Sequence, residues 1–532
     1  MRIALLARFV GICLLLAVQV SCTSTVAKPA LQNGKSTTFF INSVTGSDSA
    51  NGLSQSTAWK SLAKVNATTF APGDSILFAK GDTWSGQLHP LGSGKLNSPI
   101  LIGSYGTGVA PVINGASLLK GAAVFLENQQ FWTISNIDVI NNSESANFGT
   151  LIVPGHEREG ILVEDSAGGE LQDITISGDS VSSVNGCFNC QTTDSHLNGG
   201  IVIEATGARD SFNKVNVVGN NVNQVSRSGI VFWDQSYYST NILKVDQLDL
   251  STNVSISKNS VSDVAGDGII VFGADNATIS ANTVSYAAQQ SLAGSTEAAS
   301  VGIMTTRSIG TVVIHNEIFG TKTQTTDGEG VDVDLGSSRT TVEYNYSHNN
   351  QGGFILLMGG FSSDTVVRYN LSVNDSFGGL KGIFTLDSSQ TNTDIYNNTI
   401  YVPPNQNENP IFCQNCSNSL PTIWSFINNL IENFGTGSYL FPRSLGIEIK
   451  ANVFFGNHPA SEPYDPLKSI SNPDLIFPGG NSSGLNQPRN YCLSRASPDL
   501  SNGLVVANNG GEDFFGDPVS AVTHPSRGFK QA

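Results

Sequence analysis

A parallel β-solenoid is the fold class that this 532-residue chain predicts, and three observations lead to it. An Asn recurs at Asn220, Asn259, Asn282, Asn316, Asn345, Asn370, Asn398, Asn429 and Asn452, at gaps of 39, 23, 34, 29, 25, 28, 31 and 23 residues. The shorter gaps approximate one coil, and the excess in the others marks loops. A second beat, a Gly followed by an apolar residue, falls at Gly229-Ile230, Gly268-Ile269, Gly302-Ile303, Gly330-Val331, Gly353-Phe354 and Gly382-Ile383, where each pair opens another short strand. Charged residues are 13% of the chain, against about 25% in average domains, and apolar residues alternate with period 2, so the body is all-β.

Met1 to Ser21 carries Arg2 and Arg8 and then the apolar run Val10 to Val20, too short to span a bilayer and organised like a secretory signal. A leader over 1–27 and an exported protein, secreted, periplasmic or held at the cell surface, are therefore expected. Ser21-Cys22 resembles the end of a bacterial lipoprotein signal, which would anchor the chain to the outer membrane, although Gln19 stands where an aliphatic residue is preferred; the alternative is cleavage near Ala27. No Pro-rich or charged linker follows, so one elongated domain over 37–530 is predicted, with coils over about 95–460 and a closing segment over 461–530. Its amino-terminal cap, about 37–90, begins with a strand at Thr37–Ile41. A short helix over Thr57–Val65 follows, with Trp59, Leu62, Ala63 and Val65 near one side, then a strand at Ser75–Phe78. A cap has a physical use, because an open solenoid end exposes strand edges and apolar interior.

The run Phe40 to Gly86, with TGSDSANGLS, TAWKSLAKVN and PGDSILFAKGDTW, followed by SPILIGSYG, resembles the amino-terminal cap of secreted right-handed parallel β-helix proteins of the pectin-lyase-like superfamily. Ser497-Pro498-Asp499 and Gly511 to Pro518 resemble the closing segment of such proteins. The resemblance implies a right-handed parallel β-helix with a short amino-terminal capping helix. It leaves the substrate open, because the superfamily includes polysaccharide lyases, glycoside hydrolases, epimerases and adhesins.

The recurrent Asn residues have a structural reading. Asn tolerates left-handed backbone, and its amide can bond the coils above and below in a ladder. If the residue after each Gly points inward, then Ile230, Ile269, Ile303, Val331, Phe354 and Ile383 stack in the core. The residues two and four after each Gly then face out: Val231 and Trp233, Ile270 and Phe272, Met304 and Thr306, Asp332 and Asp334, Ile355 and Leu357, Phe384 and Leu386. Such an apolar outer face marks a groove or a surface covered by loops, with Trp233 and Phe272 as platforms for sugar rings or as packing under the insertions.

Asp327, Glu329, Asp332 and Asp334 form the sharpest chemical signal in the chain. Asp332 and Asp334 lie two apart on one strand face, with Cα atoms about 6.6–6.8 Å apart. Glycosidic cleavage needs one protonated and one ionised carboxyl group, and two close acids in a partly apolar groove have their pKa values pushed apart. Asp332 and Asp334 are thus the expected catalytic pair, and Glu329 or Asp327 in the preceding turn can replace either. A calcium cluster and a solvated strand face are the other readings of the same acids; no cofactor is required, with calcium as the one cation to consider. By register, Asp234 and Arg307 fall five residues after their Gly, and Asp267 and Lys381 immediately precede theirs; with His348 in a turn, they are candidate substrate-binding residues.

A formal charge of −16 argues against nucleic acid as a partner. Two CxxC pairs, Cys187/Cys190 and Cys413/Cys416, could supply four thiolates to zinc. In an exported chain they are expected to form disulfides, with Cys492 left over or partnering one of them. No dimerisation signal stands out, so a monomer acting on a poly- or oligosaccharide is expected. The leading function is a glycoside hydrolase. A polysaccharide lyase using Arg307, Lys381 or His348, and a non-catalytic carbohydrate-binding protein on the cell surface, are the alternatives. Endo or exo action depends on whether Gln289 to Ser300 and the Cys187/Cys190 loop wall the Asp332 face.

Overall fold

The computed structural model describes residues 36–142, 157–188, 195–237, 250–289, 299–323, 326–378, 381–387, 390–414, 424–441, 446–480 and 483–531. The predicted leader with Cys22 lies outside them, as do Cys190, Cys416 and most of the 289–300 segment. Ser36–Ala532 hold together as one unit. Among the described residues, short strands stack into three parallel sheets of 15, 13 and 10 strands. The first runs from Thr38–Ile41 to Ile447–Lys450, the second from Thr83–Ser85 to Val453–Gly456, and the third from Val124–Glu127 to Asn409–Gln414. This is the right-handed parallel β-helix, its core filled by inward Ile, Val, Leu and Phe from all three sheets.

Both sequence beats are corners of the coil. The backbone N–H of Asn316 donates to Asn345 Oδ1 at 2.9 Å, the Asn316 Nδ2 donates to the same oxygen at 3.0 Å, and Asn316 Oδ1 accepts from Asn282. This pattern runs unbroken through all nine Asn residues, and it ends on Asp179 at one side and Asp465 at the other. The left-handed backbone, however, belongs to the residue before each Asn: Gly219 has φ 67°, and Lys258, Ala281, His315, Tyr344, Tyr369, Asn397, Asn428 and Ala451 have φ between 51° and 57°. The ladder Asn is needed for its amide, and it holds its predecessor in a conformation that costs about 1–2 kcal/mol.

The Gly beat answers a different demand. A Cβ on Gly268 would lie 2.4 Å from the Gly302 carbonyl oxygen and 2.4 Å from Val284 Cγ1, and Gly229 and Gly302 are equally enclosed. Register then aligns Ile230, Ile269, Ile303, Val331, Ile355, Phe384 and Ile411 in one inward file. The expected faces hold for the first four Gly strands; in the last two, Phe354 and Ile383 reach the core as expected, but the outward set fails. Glu329, not Gly330, pairs with Gly353, so Ile355, Leu357, Phe384 and Leu386 point inward and Leu356 points outward. A one-residue slip reverses a whole strand.

The helix is a single turn, Leu62–Asn66, later and shorter than Thr57–Val65. Trp59 runs extended instead, donating its N–H to the Phe40 carbonyl and accepting from Asn42, so it belongs to the first strand rather than the helix. The carboxy-terminal segment runs back along the flank of the coils. There Leu475, Tyr491, Phe514 and Phe529 bury an outward cluster that includes Tyr344, Tyr346, Tyr369, Tyr396 and Tyr401. Cys187 and Cys413 are each held in a disulfide and Cys492 is a buried free thiol, which removes the zinc reading.

Candidate active site

The outer face of the ten-stranded sheet carries a cavity of about 290 Å³. Its floor is built from the ends of successive strands: Ser228–Asp234 contributes Trp233, Ile269–Phe272 contributes Phe272, Ile303–Thr306 contributes Met304 and Thr306, and Glu329–Val333 contributes Asp332. Asp334 follows that strand and Asp327 precedes it, in a tight turn with φ 56° at Asp327 and 96° at Gly328. The next coil lies close enough that a Cβ on Gly352 would sit 2.3 Å from the Asp327 carbonyl oxygen. His196, Ala299, Ser300 and Val301 complete the wall, so the described ends of both insertions reach the face that carries Asp332.

Four carboxyl groups line this cavity, Asp267 beside His196 and the three of the acidic strand, Asp327, Asp332 and Asp334, in different surroundings. Asp332 sits in the sheet between Met304 and Leu356, is 5% exposed, and has an Oδ1 without a hydrogen-bond partner. Burial, reinforced by Asp334 and Asp327, raises its pKa well above the ordinary carboxylate range. Burial also raises Asp334, against the opposing pull of the Leu335 N–H, the Thr306 hydroxyl and the Arg307 charge. Asp327 is paired with the Lys381 ammonium at 2.5 Å and accepts from Thr326 Oγ1 at 3.0 Å.

Glu329 is fully buried and absent from the cavity wall. Its carboxyl lies 3.5 Å from Lys381 and is pushed up to about 7, by burial above all. Lys381 is 8% exposed; burial opposes its charge, yet Glu329 and Asp327 raise it above its usual value. Both residues thus stand behind the site as the support of Asp327, rather than as a catalytic acid and a sugar ligand.

Trp233 and Phe272 do not offer free platforms. Their rings stack at 4.1 Å and 14°, His196 covers Trp233 at 5.6 Å, and the Arg307 guanidinium lies over Phe272 at 5.5 Å. This four-layer stack sets His196 at one end and Arg307 at the other, toward Asp334. Beside His196, Asp267 is a bracket: its Oδ1 accepts from the Val301 N–H at 3.0 Å, and its Oδ2 lies 3.3 Å from Arg227, which also donates to Ser300 at 2.8 Å.

Two sequence candidates lie elsewhere. Asp234 is fully buried and spends both oxygens on Ser236 and Ser251. His348 belongs to the thirteen-stranded sheet, 1% exposed, stacked between Phe319 and Tyr346 and 3.2 Å from Glu317. His196, Ser300 and Met358 line the cavity without having been singled out: His196 and Ser300 arrive from the insertions, and Met358 follows the strand Gly353–Leu357 and comes level with Asp334 through the one-residue slip. Among the described residues, no group of three or more His, Cys, Asp or Glu is arranged to hold a metal ion.

A family model described as "Right handed beta helix region" matches residues 247–400. The lacto-N-biosidase of Bifidobacterium longum subsp. longum is 26% identical over 457 residues, an alignment covering 70% of this chain and 28% of that enzyme. The chain thus spans little more than a quarter of the length of this curated relative. The native GH136 lacto-N-biosidase from Eubacterium ramulus superposes with TM-score 0.61 at 21% identity, covering 77% of this chain and 67% of that one. XylC in complex with xylose superposes at 0.54 and 13% identity, over 93% and 98%. Three parallel sheets, the matched β-helix region and these superpositions give the chain the fold of a right-handed parallel β-helix.

Proposed function

We propose that the chain is an exported glycoside hydrolase acting on an oligosaccharide or polysaccharide. The observation that carries this reading is the trio Asp327, Asp332 and Asp334 on one wall of a cavity, with a carboxyl raised by burial and a charge-compensated one side by side. Cleavage of a glycosidic bond needs a proton delivered to the leaving oxygen and an ionised carboxylate that attacks the anomeric carbon or activates water. Asp334, raised by burial yet open to the cavity, is the proton donor. Asp327, its negative charge compensated by Lys381, is the ionised partner. Asp332 is too enclosed to be the main donor, and its buried carboxyl feels the charge of both. This shifts the working pair from Asp332 and Asp334 to Asp327 and Asp334.

The lacto-N-biosidases among the relatives support the reaction class, and export rests on the amino-terminal leader pattern. Elimination is disfavoured because Lys381, a candidate base, is locked between Asp327 and Glu329. The test is incubation with lacto-N-biosides, other neutral oligosaccharides and polyuronates, followed by mass spectrometry. Saturated products with a new reducing end support hydrolysis, whereas unsaturated uronates, or binding without any product, refute it.

A further inference from the structure

The chain holds three methionines, Met1, Met304 and Met358, and both that follow Met1 line the cavity of the acidic strand. The main core of the coils contains no methionine among the described residues. Register sets Met304 directly against Asp332 from the coil before, and the Met358 N–H donates to the Val333 carbonyl at 2.9 Å from the coil after. The Met358 carbonyl in turn accepts from Gln390 Nε2 at 2.8 Å, so its main chain is tied on both sides and the thioether is left to move. One thioether therefore stands on each side of the acids.

These side chains offer the apolar contact that the aromatic rings withhold. A pyranose carries C–H groups on its faces, and small-molecule sites set a few polar groups in an apolar wall. Trp233 and Phe272 are stacked on each other and covered by His196 and Arg307, and with Val301 and Leu356 they are no more than 2% exposed. Met304 is 8% exposed and Met358 is half-buried, so beside Asp332 and Asp334 the apolar surface left for a ring is thioether. Unbranched and polarisable, a methionine side chain fits itself to an irregular contour better than Leu or Ile. Packing alone gives no reason for the choice, because the core is filled with branched and aromatic residues.

We propose that Met304 and Met358 are the apolar contact of the sugar ring held over Asp332 and Asp334, and that they are an oxidation site through which peroxide switches the cavity off. In that step the O–O bond of the peroxide breaks and one oxygen joins the thioether sulfur. The sulfur is oxidised by two electrons, and the remaining oxygen leaves as water. A sulfoxide is polar and chiral where the thioether was apolar, so the ring loses its contact on both sides. Reaction follows exposure, so Met358 is oxidised before Met304. The proposal rests on the hydrolase reading for placing a sugar over these acids, but contact and oxidation are measurable apart from cleavage.

The experiment treats the full chain carrying Asp334→Asn, chosen to leave a bound glycan uncut, with dilute hydrogen peroxide. Peptide mass spectrometry follows the gain of one oxygen at each methionine, and calorimetric titration follows affinity. The probes are neutral tetrasaccharides of the xylo, cello, chito and lacto series, and tetragalacturonate. At least one of them binds, and at saturation it slows oxygen uptake at Met304 and Met358 by about fivefold or more. With one oxygen on each sulfur, that saccharide binds about tenfold or more weakly, cooperative melting being retained. The variant Met304→Leu with Met358→Leu binds it equally well before and after peroxide, which assigns the loss to the two sulfurs rather than to the Cys492 thiol. Protection is read on protein that starts unoxidised, so it decides even where the sulfoxides unsettle the fold. No binding of any probe, uptake unaltered by a saturating saccharide, undiminished affinity of the folded oxidised chain, or an equal loss in the Leu variant overturns the contact. Protection and weakened binding, with no product from the wild-type chain, leave the contact standing and remove the hydrolase reading; wild-type cleavage that survives both sulfoxides undiminished does the reverse.

Discussion

Asp334 and Asp327 differ in what surrounds their carboxyl groups, and their chemistry follows from that difference. Replacing either with Asn removes proton donation or the compensated negative charge. Each substitution is expected to lower kcat/KM by about 10²–10⁴-fold with little change in melting temperature, measured on whichever substrate the wild type cleaves. Asp334 is the foremost charge acting on Asp332, after burial itself. Lys381 tests the support behind Asp327. Lys381→Met strands Asp327 and Glu329 without their counter-charge and is expected to lower stability by about 3 kcal/mol at pH 8 in denaturant titrations. The loss is expected to be smaller at pH 5, where Glu329, whose folded value is about 7, already holds a proton.

At the scale of the element, the two corners of each coil make separable demands. Asn316→Ala leaves the Asn282 N–H and side-chain amide without their acceptor in a buried corner, which is expected to cost about 1–3 kcal/mol. Gly268→Ala places a methyl 2.4 Å from a backbone oxygen of the next coil, which cannot yield as a flexible side chain would, and is expected to cost about as much. The left-handed residues make the contrast. Ala281→Gly, at φ 54°, relieves backbone strain while touching no ladder bond, so its melting temperature is expected to stay level or rise. Thermal unfolding of the three variants separates the amide ladder from backbone conformation as the reason for the Asn beat; a neutral Asn316→Ala would discard the ladder.

Across the whole molecule, burial of acids sets a pH dependence. Asp179, Glu329 and Glu432 are raised to about 7 and Glu159 to about 8, mainly by burial, while their values in an unfolded chain lie near 4. A carboxyl raised on folding stabilises the native state fully below its unfolded value, and that contribution is lost as pH rises through the folded value. Scanning calorimetry is therefore expected to give a higher melting temperature at pH 5 than at pH 8, and the reverse order would contradict these protonation states. The β-helix itself was legible because each coil repeats the same local requirements: an amide at one corner, no Cβ at another, and alternation between. Register was legible only where the Gly beat kept step, and it slipped at Gly353 because Phe354 and Ile383 occupy the enclosed position that Gly holds in earlier coils. The acidic strand stood out because charge is rare on that face. What faces it was not legible, since His196 and Ser300 arrive from insertions, and the faces of Trp233 and Phe272 are taken by neighbours that no local pattern reveals. The central claim is hydrolysis at Asp327 and Asp334, and the most direct measurement is cleavage of an oligosaccharide in ¹⁸O-labelled water by the wild type and the two Asn variants. One ¹⁸O atom at the new anomeric carbon, lost together with product in Asp327→Asn and Asp334→Asn, is the expected result; unlabelled unsaturated product, or labelled product formed undiminished by both variants, would contradict it.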